Sequence, residues 1–168
     1  GREIAGKTIG VIGLGAIGQR TAKLAQAFGC NVIAWNRTPK IVAGVTIVDK
    51  ETLFKEADIV TIHIALNDET RDFVTAQELA LMKRSPIIVN PARAPLVNPQ
   101  DLSDALKEGR ISGAALDVYD VEPPLDSNNP MLDAPNTILL PHIGFATKEA
   151  FELRLGIVVN NVAQFCKQ

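Results

Sequence analysis

Short apolar runs alternate along the chain with longer stretches in which apolar residues recur every three or four positions. The first run, Ile9 to Ile12, passes straight into Gly13-Leu14-Gly15-Ala16-Ile17-Gly18 and a helical pattern from about Ala16 to Phe28. Asn31 to Trp35 follows as a second strand, so the chain opens on a βαβ unit. In the first helix Ile17, Leu24 and Phe28 share a face and read as a core stripe. Thr38 to Gly44, with Pro39 and Gly44, reads as a loop, Val45 to Val48 as a short strand, and Asp49 as the cap of a brief helix to Glu56. Ile59 to Ile64 is a β-branched strand and Asn67 to Asp72 a polar loop, after which Thr75 and Glu78 form a capping box for a helix to about Lys83. Ile87 to Val89 is the next strand, Pro91 to Pro95 a loop, and Pro99 to Glu108 a helix stopped by Gly109. Ile111 to Val118 is a strand, Val121 to Asn136 a proline-rich loop, Ile138 to Leu140 a last strand, and Thr147 to Phe165 is spaced as a helix. This alternation predicts a single α/β domain with a doubly wound parallel sheet, the three-layer α/β/α arrangement of the Rossmann type.

Composition narrows the function classes. With 168 residues, 46% of them hydrophobic, the chain can bury one substantial core. The net charge of -2 and scattered charges offer no basic face, so nucleic acid is not an expected partner. No apolar run reaches the roughly 18 residues of a membrane span, and no charged-then-apolar leader opens the chain. Cys30 and Cys166 have no metal-ligand or CxxC spacing, so no metal and no disulfide are expected, and the location expected is the cytoplasm. Gly1 to Lys7 reads as a linker into the first strand, as in a piece of a longer polypeptide.

The glycine-rich turn carries the first chemistry. A strand, Gly-x-Gly-x-x-Gly and a helix form a dinucleotide cradle: Gly13 allows the tight turn, Gly15 the close approach of a pyrophosphate, and Gly18 the contact of helix with strand. At the end of the second strand an NAD site carries a carboxylate for the ribose hydroxyls. Here Asn36, Arg37 and Thr38 stand there. Without that carboxylate a 2'-phosphate meets no repulsion, and Arg37 offers it charge-assisted donors, so NADP(H) is the preferred cofactor and NAD(H) a possible one.

Three further groups fall just past the carboxyl ends of strands, where an open α/β sheet binds its ligands. Arg93 follows the strand ending at Asn90, Glu122 follows the strand ending at Val118, and His142 follows the strand ending at Leu140. A guanidinium can grip a carboxylate through two parallel hydrogen bonds, an imidazole can protonate a carbonyl oxygen as hydride reaches the carbon, and a carboxylate beside the imidazole favours its charged form. The set fits reduction of a small 2-oxo acid. His63, with no acidic block of its own, reads as a satisfied core or strand-end residue.

These blocks resemble the D-isomer-specific 2-hydroxyacid dehydrogenases: the glycines, Asn90 to Val97 around Arg93, and Leu116-Asp117-Val118 to Pro123 together with Pro141 to Thr147. The resemblance, closest to glyoxylate and hydroxypyruvate reductases, implies that Arg93 binds substrate, that Glu122 and His142 form the acid/base dyad, and that Asp117 holds the nicotinamide carboxamide. It further implies that residues 1 to 168 are the coenzyme domain, that a flanking substrate domain is absent from this chain, that the isolated domain is inactive, and that the protein is a homodimer. The cofactor is then expected along Gly13, Gly15, Ala16, Ile17 and Gly18, against Asn36, Arg37 and Thr38, and beside Ala65, Thr70, Ala92, Asp117 and Gly144. The chain departs from the family pattern at Asn36-Arg37-Thr38, at Ala65 in place of a proline, at Ala94 in place of a glycine, and at Phe145 in place of a small residue. A dinucleotide-sensing corepressor on the same scaffold is the alternative reading.

Overall fold

The computed structural model describes residues 3–38, 40–83, 85–122 and 126–167. Gly1 and Arg2 of the expected linker, Pro39 of the first loop, and Pro123 and Pro124 of the proline-rich loop lie outside the described residues. Seven strands form one sheet: β1 (Thr8–Ile12), β2 (Asn31–Trp35), β3 (Val45–Ile47), β4 (Ile59–Ile62), β5 (Ile87–Asn90), β6 (Gly113–Leu116) and β7 (Thr137–Leu139). All pairings are parallel, in the order β3-β2-β1-β4-β5-β6-β7. The order reverses between β1 and β4, which opens a crevice at their carboxyl ends. Among the described residues four α-helices connect strands, α1 (Ala16–Ala27), α2 (Lys50–Glu56), α3 (Ala76–Leu81) and α4 (Pro99–Lys107), and α5 (Lys148–Phe165) follows β7.

Strand alternation divides the core in two. In β1, Ile9 and Val11 face α1, whereas Ile12 joins the larger cluster under α2, α3 and α4. Gly10 belongs to that second face, since a methyl there would lie 2.9 Å from both Ala57 Cβ and Leu53 Cδ2. The larger cluster takes Leu53 and Phe54 from α2, Leu79 from α3, and Leu102, Ala105 and Leu106 from α4. Each fully buried leucine or phenylalanine stabilises the domain by about 1.5–3 kcal/mol. Local capping agrees with the sequence: Asp49 accepts from Thr52 N at 2.7 Å, and Glu78 accepts from Thr75 N at 2.9 Å to complete the capping box. Buried Glu78 also pairs with Lys50 at 2.9 Å, and that ammonium lies 4.2 Å from the centre of the Phe73 ring.

Two expectations need correction. Ile17, Leu24 and Phe28 are not core: they are 67%, 62% and 62% exposed, because α1 lies on the sheet through Gly18 and Ala22, whose small side chains bring the helix close and turn the large ones outward. The helix expected after Thr147 is present, with Thr147 accepting from Ala150 N at 3.1 Å, and all its described residues are at least partly exposed. Several strands and helices are also shorter than the apolar runs that announced them. The run Ile59 to Ile64 is a strand only to Ile62, and the run Ile111 to Val118 only from Gly113 to Leu116. Beyond the strand ends Ile64 lines the crevice and Ile111 and Val118 are buried in the core, roles that an apolar run cannot distinguish from strand.

Candidate active site

At the crevice, β1 turns into α1 through Gly13. Its φ of +94° is open to glycine, and a Cβ there would meet Ile64 Cγ2 at 2.7 Å and the His63 carbonyl oxygen at 2.8 Å. Gly18 packs so closely on the Gly13 carbonyl that no side chain fits. Gly15 is exposed, and α1 begins there without a side-chain cap, leaving first-turn N–H groups free for an anion. A cradle that side chains would fill, at an uncapped helix start, fits a dinucleotide pyrophosphate.

Asn36 has a structural part here: its Oδ1 accepts from Leu14 N at 2.8 Å and its Nδ2 donates to Thr38 O at 2.5 Å, which braces the glycine turn from β2. Arg37 and Thr38 lie exposed on the rim of a groove of about 240 Å³ that Gly13, Gly15, Asn36, Ala65 and Thr70 also line. Arg37 Nη1 stands 3.5 Å from Glu69 Oε2, with both side chains more than 70% exposed. Lys40 Nζ, which the sequence reading passed over, donates to Leu14 O at 3.2 Å and adds a second cation at this end. Thr70 is buried; its hydroxyl donates to Ala65 O at 2.8 Å and accepts from Asn67 N at 2.8 Å, so it holds the loop under the groove.

The other end is assembled from three strand ends. Past β5, buried Asn90 donates through Nδ2 to Arg93 O at 2.9 Å and accepts from Ala92 N at 3.1 Å, fixing the loop that carries the Arg93 guanidinium. Asn90 is a positioning residue that a search for titratable groups misses. Past β6, buried Asp117 accepts from Ile143 N at 2.8 Å and Gly144 N at 2.7 Å. These bonds clamp the turn after His142, and a Cβ on Gly144 would lie 2.8 Å from Asp117 Oδ2. His142 itself has φ +54°, a left-handed conformation that costs energy in a residue other than glycine and that the clamp enforces.

His142 Nδ1 lies 2.5 Å from Glu122 Oε2, and Glu122 Oε1 accepts from Tyr119 N at 2.6 Å. Burial works against the charged form of Glu122, but the hydrogen bonds from His142 and from the Tyr119 N–H outweigh it and hold the carboxyl below its usual range. With Nδ1 occupied, Nε2 is left for the cleft. That cleft, of about 740 Å³, is lined by Ile17, Ala65, Ala92, Arg93, Asp117, His142 and Gly144, along with Phe145 and Arg154. Glu122 lies on the opposite side of the imidazole, on a mostly apolar hollow of about 530 Å³ with Tyr119, Leu140 and Phe145.

Cleft and groove adjoin, sharing His63, Ile64 and Ala65. The structure thus gathers along the crevice the residues singled out in the sequence, apart from Ala16, exposed at the start of α1, Gly18, buried beneath the turn, and Glu122, which lies behind the imidazole on the apolar hollow. His63 is half-buried, 3.0 Å from Thr61 Oγ1, and faces both spaces, a place its strand context did not reveal. Among the described residues no cluster of three His, Cys, Asp or Glu side chains could hold a metal. Likewise no described helix is long and apolar enough to cross a membrane.

Comparison with known proteins agrees with this geometry. Residues 1–144 match the sequence profile of the D-isomer specific 2-hydroxyacid dehydrogenase, NAD binding domain. The chain is 47% identical over 167 residues to D-3-phosphoglycerate dehydrogenase of Methanocaldococcus jannaschii, covering 96% of this chain and 32% of that protein. To glyoxylate reductase of Thermococcus litoralis it is 42% identical, covering 99% of this chain and 51% of the relative. The NAD complexed form of a D-isomer specific 2-hydroxyacid dehydrogenase from Lactobacillus delbrueckii ssp. bulgaricus superposes with a TM-score of 0.87 at 30% identity, covering 99% of this chain and 55% of that one. The chain thus spans a third to about half the length of these relatives. With the profile match covering the glycine turn, Arg93, Asp117, Glu122 and His142, the chain belongs to the D-isomer specific 2-hydroxyacid dehydrogenase family as its NAD-binding domain.

Proposed function

We propose that this chain is the coenzyme domain of an NAD(P)-dependent oxidoreductase that interconverts a small 2-oxo acid and its D-2-hydroxy acid. The observation that carries this reading is the His142–Glu122 contact, with His142 and Arg93 lining one cleft that adjoins the groove at the glycine turn. The dinucleotide, held by Gly13, Gly15, the start of α1 and the Asn36 to Thr38 rim, would supply the hydride. Arg93 pairs with the substrate carboxylate and turns the carbonyl toward His142. His142, with Nδ1–H donated to Glu122, delivers its Nε2 proton to the carbonyl oxygen in reduction and takes it back in oxidation. Glu122, kept ionised, stabilises the imidazolium and fixes the ring. Asp117 holds the backbone of residues 143 and 144 and, through its remaining lone pairs, accepts from the nicotinamide carboxamide.

The rim favours NADP(H), because Arg37 and Lys40 stand where the ribose carboxylate of an NAD site is replaced by Asn36. The same reading places a substrate domain, supplied by residues outside this chain, over the cleft, and a second copy of the protein as partner in a homodimer. Titration of the full-length protein with NADPH and NADH, followed by turnover on a panel of 2-oxo acids, tests the proposal. NADPH is expected to bind about tenfold tighter, as one charge-assisted hydrogen bond would give. Dinucleotide binding without turnover of any 2-oxo acid would overturn it.

A further inference from the structure

The chemistry above uses one guanidinium of the cleft and leaves another unaccounted for. Arg154, in the second turn of α5, lines the same cleft as Arg93 and His142. Its Cζ lies 4.5 Å from the centre of the Phe145 ring, and that ring meets the His142 ring edge-on with centres 5.8 Å apart. The guanidinium is therefore no farther from the imidazole than those two distances end to end. A guanidinium stacked on an aromatic face keeps its planar fork of donors free for an anion while its position is restricted. On its far side Phe145 meets Phe151 with ring centres 6.0 Å apart, so the shelf beneath Arg154 is itself packed from α5.

The charges around it are not balanced by protein. Among the described residues neither Arg93 nor Arg154 has a carboxylate within ion-pair distance. Asp117, the carboxylate lining the cleft, is engaged by two backbone amides, and Glu122 is engaged by His142. On α5 itself Glu152 stands 3.8 Å from Lys148. Both guanidinium residues are exposed in this structure; a substrate with one carboxylate pairs with Arg93 and leaves Arg154 without a counter-charge, which becomes costly when the proposed substrate domain covers the cleft.

We propose that Arg154 is a specificity-determining residue: a second anion-binding arm that selects 2-oxo acids carrying a further negative group, a carboxylate or a phosphate, at the end remote from the carbonyl. This rests on the reductase reading of the same cleft and deepens it. No covalent step is added, since hydride and proton still go to the carbonyl between Arg93 and His142. Arg154 acts only on the distal group.

Paired substrates test it on the full-length protein with NADPH: 2-oxopentanoate against 2-oxoglutarate, and hydroxypyruvate against its 3-phosphate. The first pair reads a distal carboxylate and the second a distal phosphate. In one pair the dianion is expected to show a KM about tenfold to a hundredfold below its monoanionic partner, the range of one hydrogen-bonded charge pair. R154M should remove that advantage by raising KM for the dianion, with kcat and the monoanion little changed, and R154K should restore part of it. Equal losses on both members of a pair would show that Arg154 merely supports Phe145 and would overturn the proposal, as would a wild-type protein that reduces monoanions at least as well. Failure of the wild type on every substrate would sink the reductase reading along with it.

Discussion

The two ends of the crevice are built in different ways. The glycine-turn end comes from a single βαβ unit, and its working groups are backbone, the bend at Gly13 and the bare helix start at Gly15, braced by the Asn36 side-chain amide on Leu14 N. The histidine end is gathered from the ends of β5, β6 and β7, and its working groups are side chains, joined by contacts as remote in sequence as Asp117 to Gly144. On the proposed reading one end binds through shape and dipoles and the other reacts through charge and proton position. Damage to the first should appear in affinity, and damage to the second in turnover.

The sharpest separation of the two comes from H142Q, which keeps a hydrogen-bonding side chain but no titratable proton. Turnover of the full-length protein should fall by about 10²–10⁴, the usual contribution of a positioned acid, with nucleotide affinity within twofold of wild type. Steady-state rates and a fluorescence titration read the two quantities, and a matching loss of affinity would mean that the ends are not independent. A smaller effect of the same kind is expected from G144A, where the methyl meets Asp117 Oδ2 at 2.8 Å. Loosening the clamp displaces the imidazole, so kcat should fall about tenfold to a hundredfold. At the glycine-turn end E69Q should act the other way. It frees Arg37 from an exposed ion pair worth at most about 1 kcal/mol, so NADPH should bind up to about fivefold tighter with NADH unchanged.

The same contrast explains what the sequence disclosed. The glycine turn and the strands that frame it are local patterns, and they appear where the apolar runs place them. In α4 the pattern also identifies the core, because Leu102, Ala105 and Leu106 are large, or evenly spaced on one face, and all are buried. It fails in α1, where closeness to the sheet comes from Gly18 and Ala22 and the large residues face outward. In α5 the spacing announces the helix, which is present, but its many apolar residues, Phe151 and Ile157 among them, are exposed, so the pattern gives the element without a core face. At the histidine end Arg93, Glu122 and His142 were legible as residue types at strand ends. The clamp of Asp117 on residues 143 and 144 and the left-handed His142 backbone were not, since they depend on contacts between strand ends that only the folded sheet brings together, and the brace of Asn90, though local, rests on a residue type with no titratable group to draw notice.

The smallest effect concerns the residue shared by both ends. The chain has two histidines, and His63 differs from His142 in lying half-buried against Thr61, where burial disfavours its charged form and lowers its pKa below the ordinary value of 6.5. A histidine whose folded pKa is depressed binds fewer protons folded than unfolded. Its contribution to stability is therefore complete above the unfolded value and is lost as pH falls through the folded one. Urea unfolding at stepped pH should show stability declining below about 6.5, with a loss on the order of 1 kcal/mol for each unit of depression. H63Q should flatten that decline while leaving the pH profile of turnover unchanged, because the proposed mechanism takes its proton from His142. A turnover profile that moves with H63Q would join the two histidines into one titrating system and dissolve the division between a binding end and a reacting end.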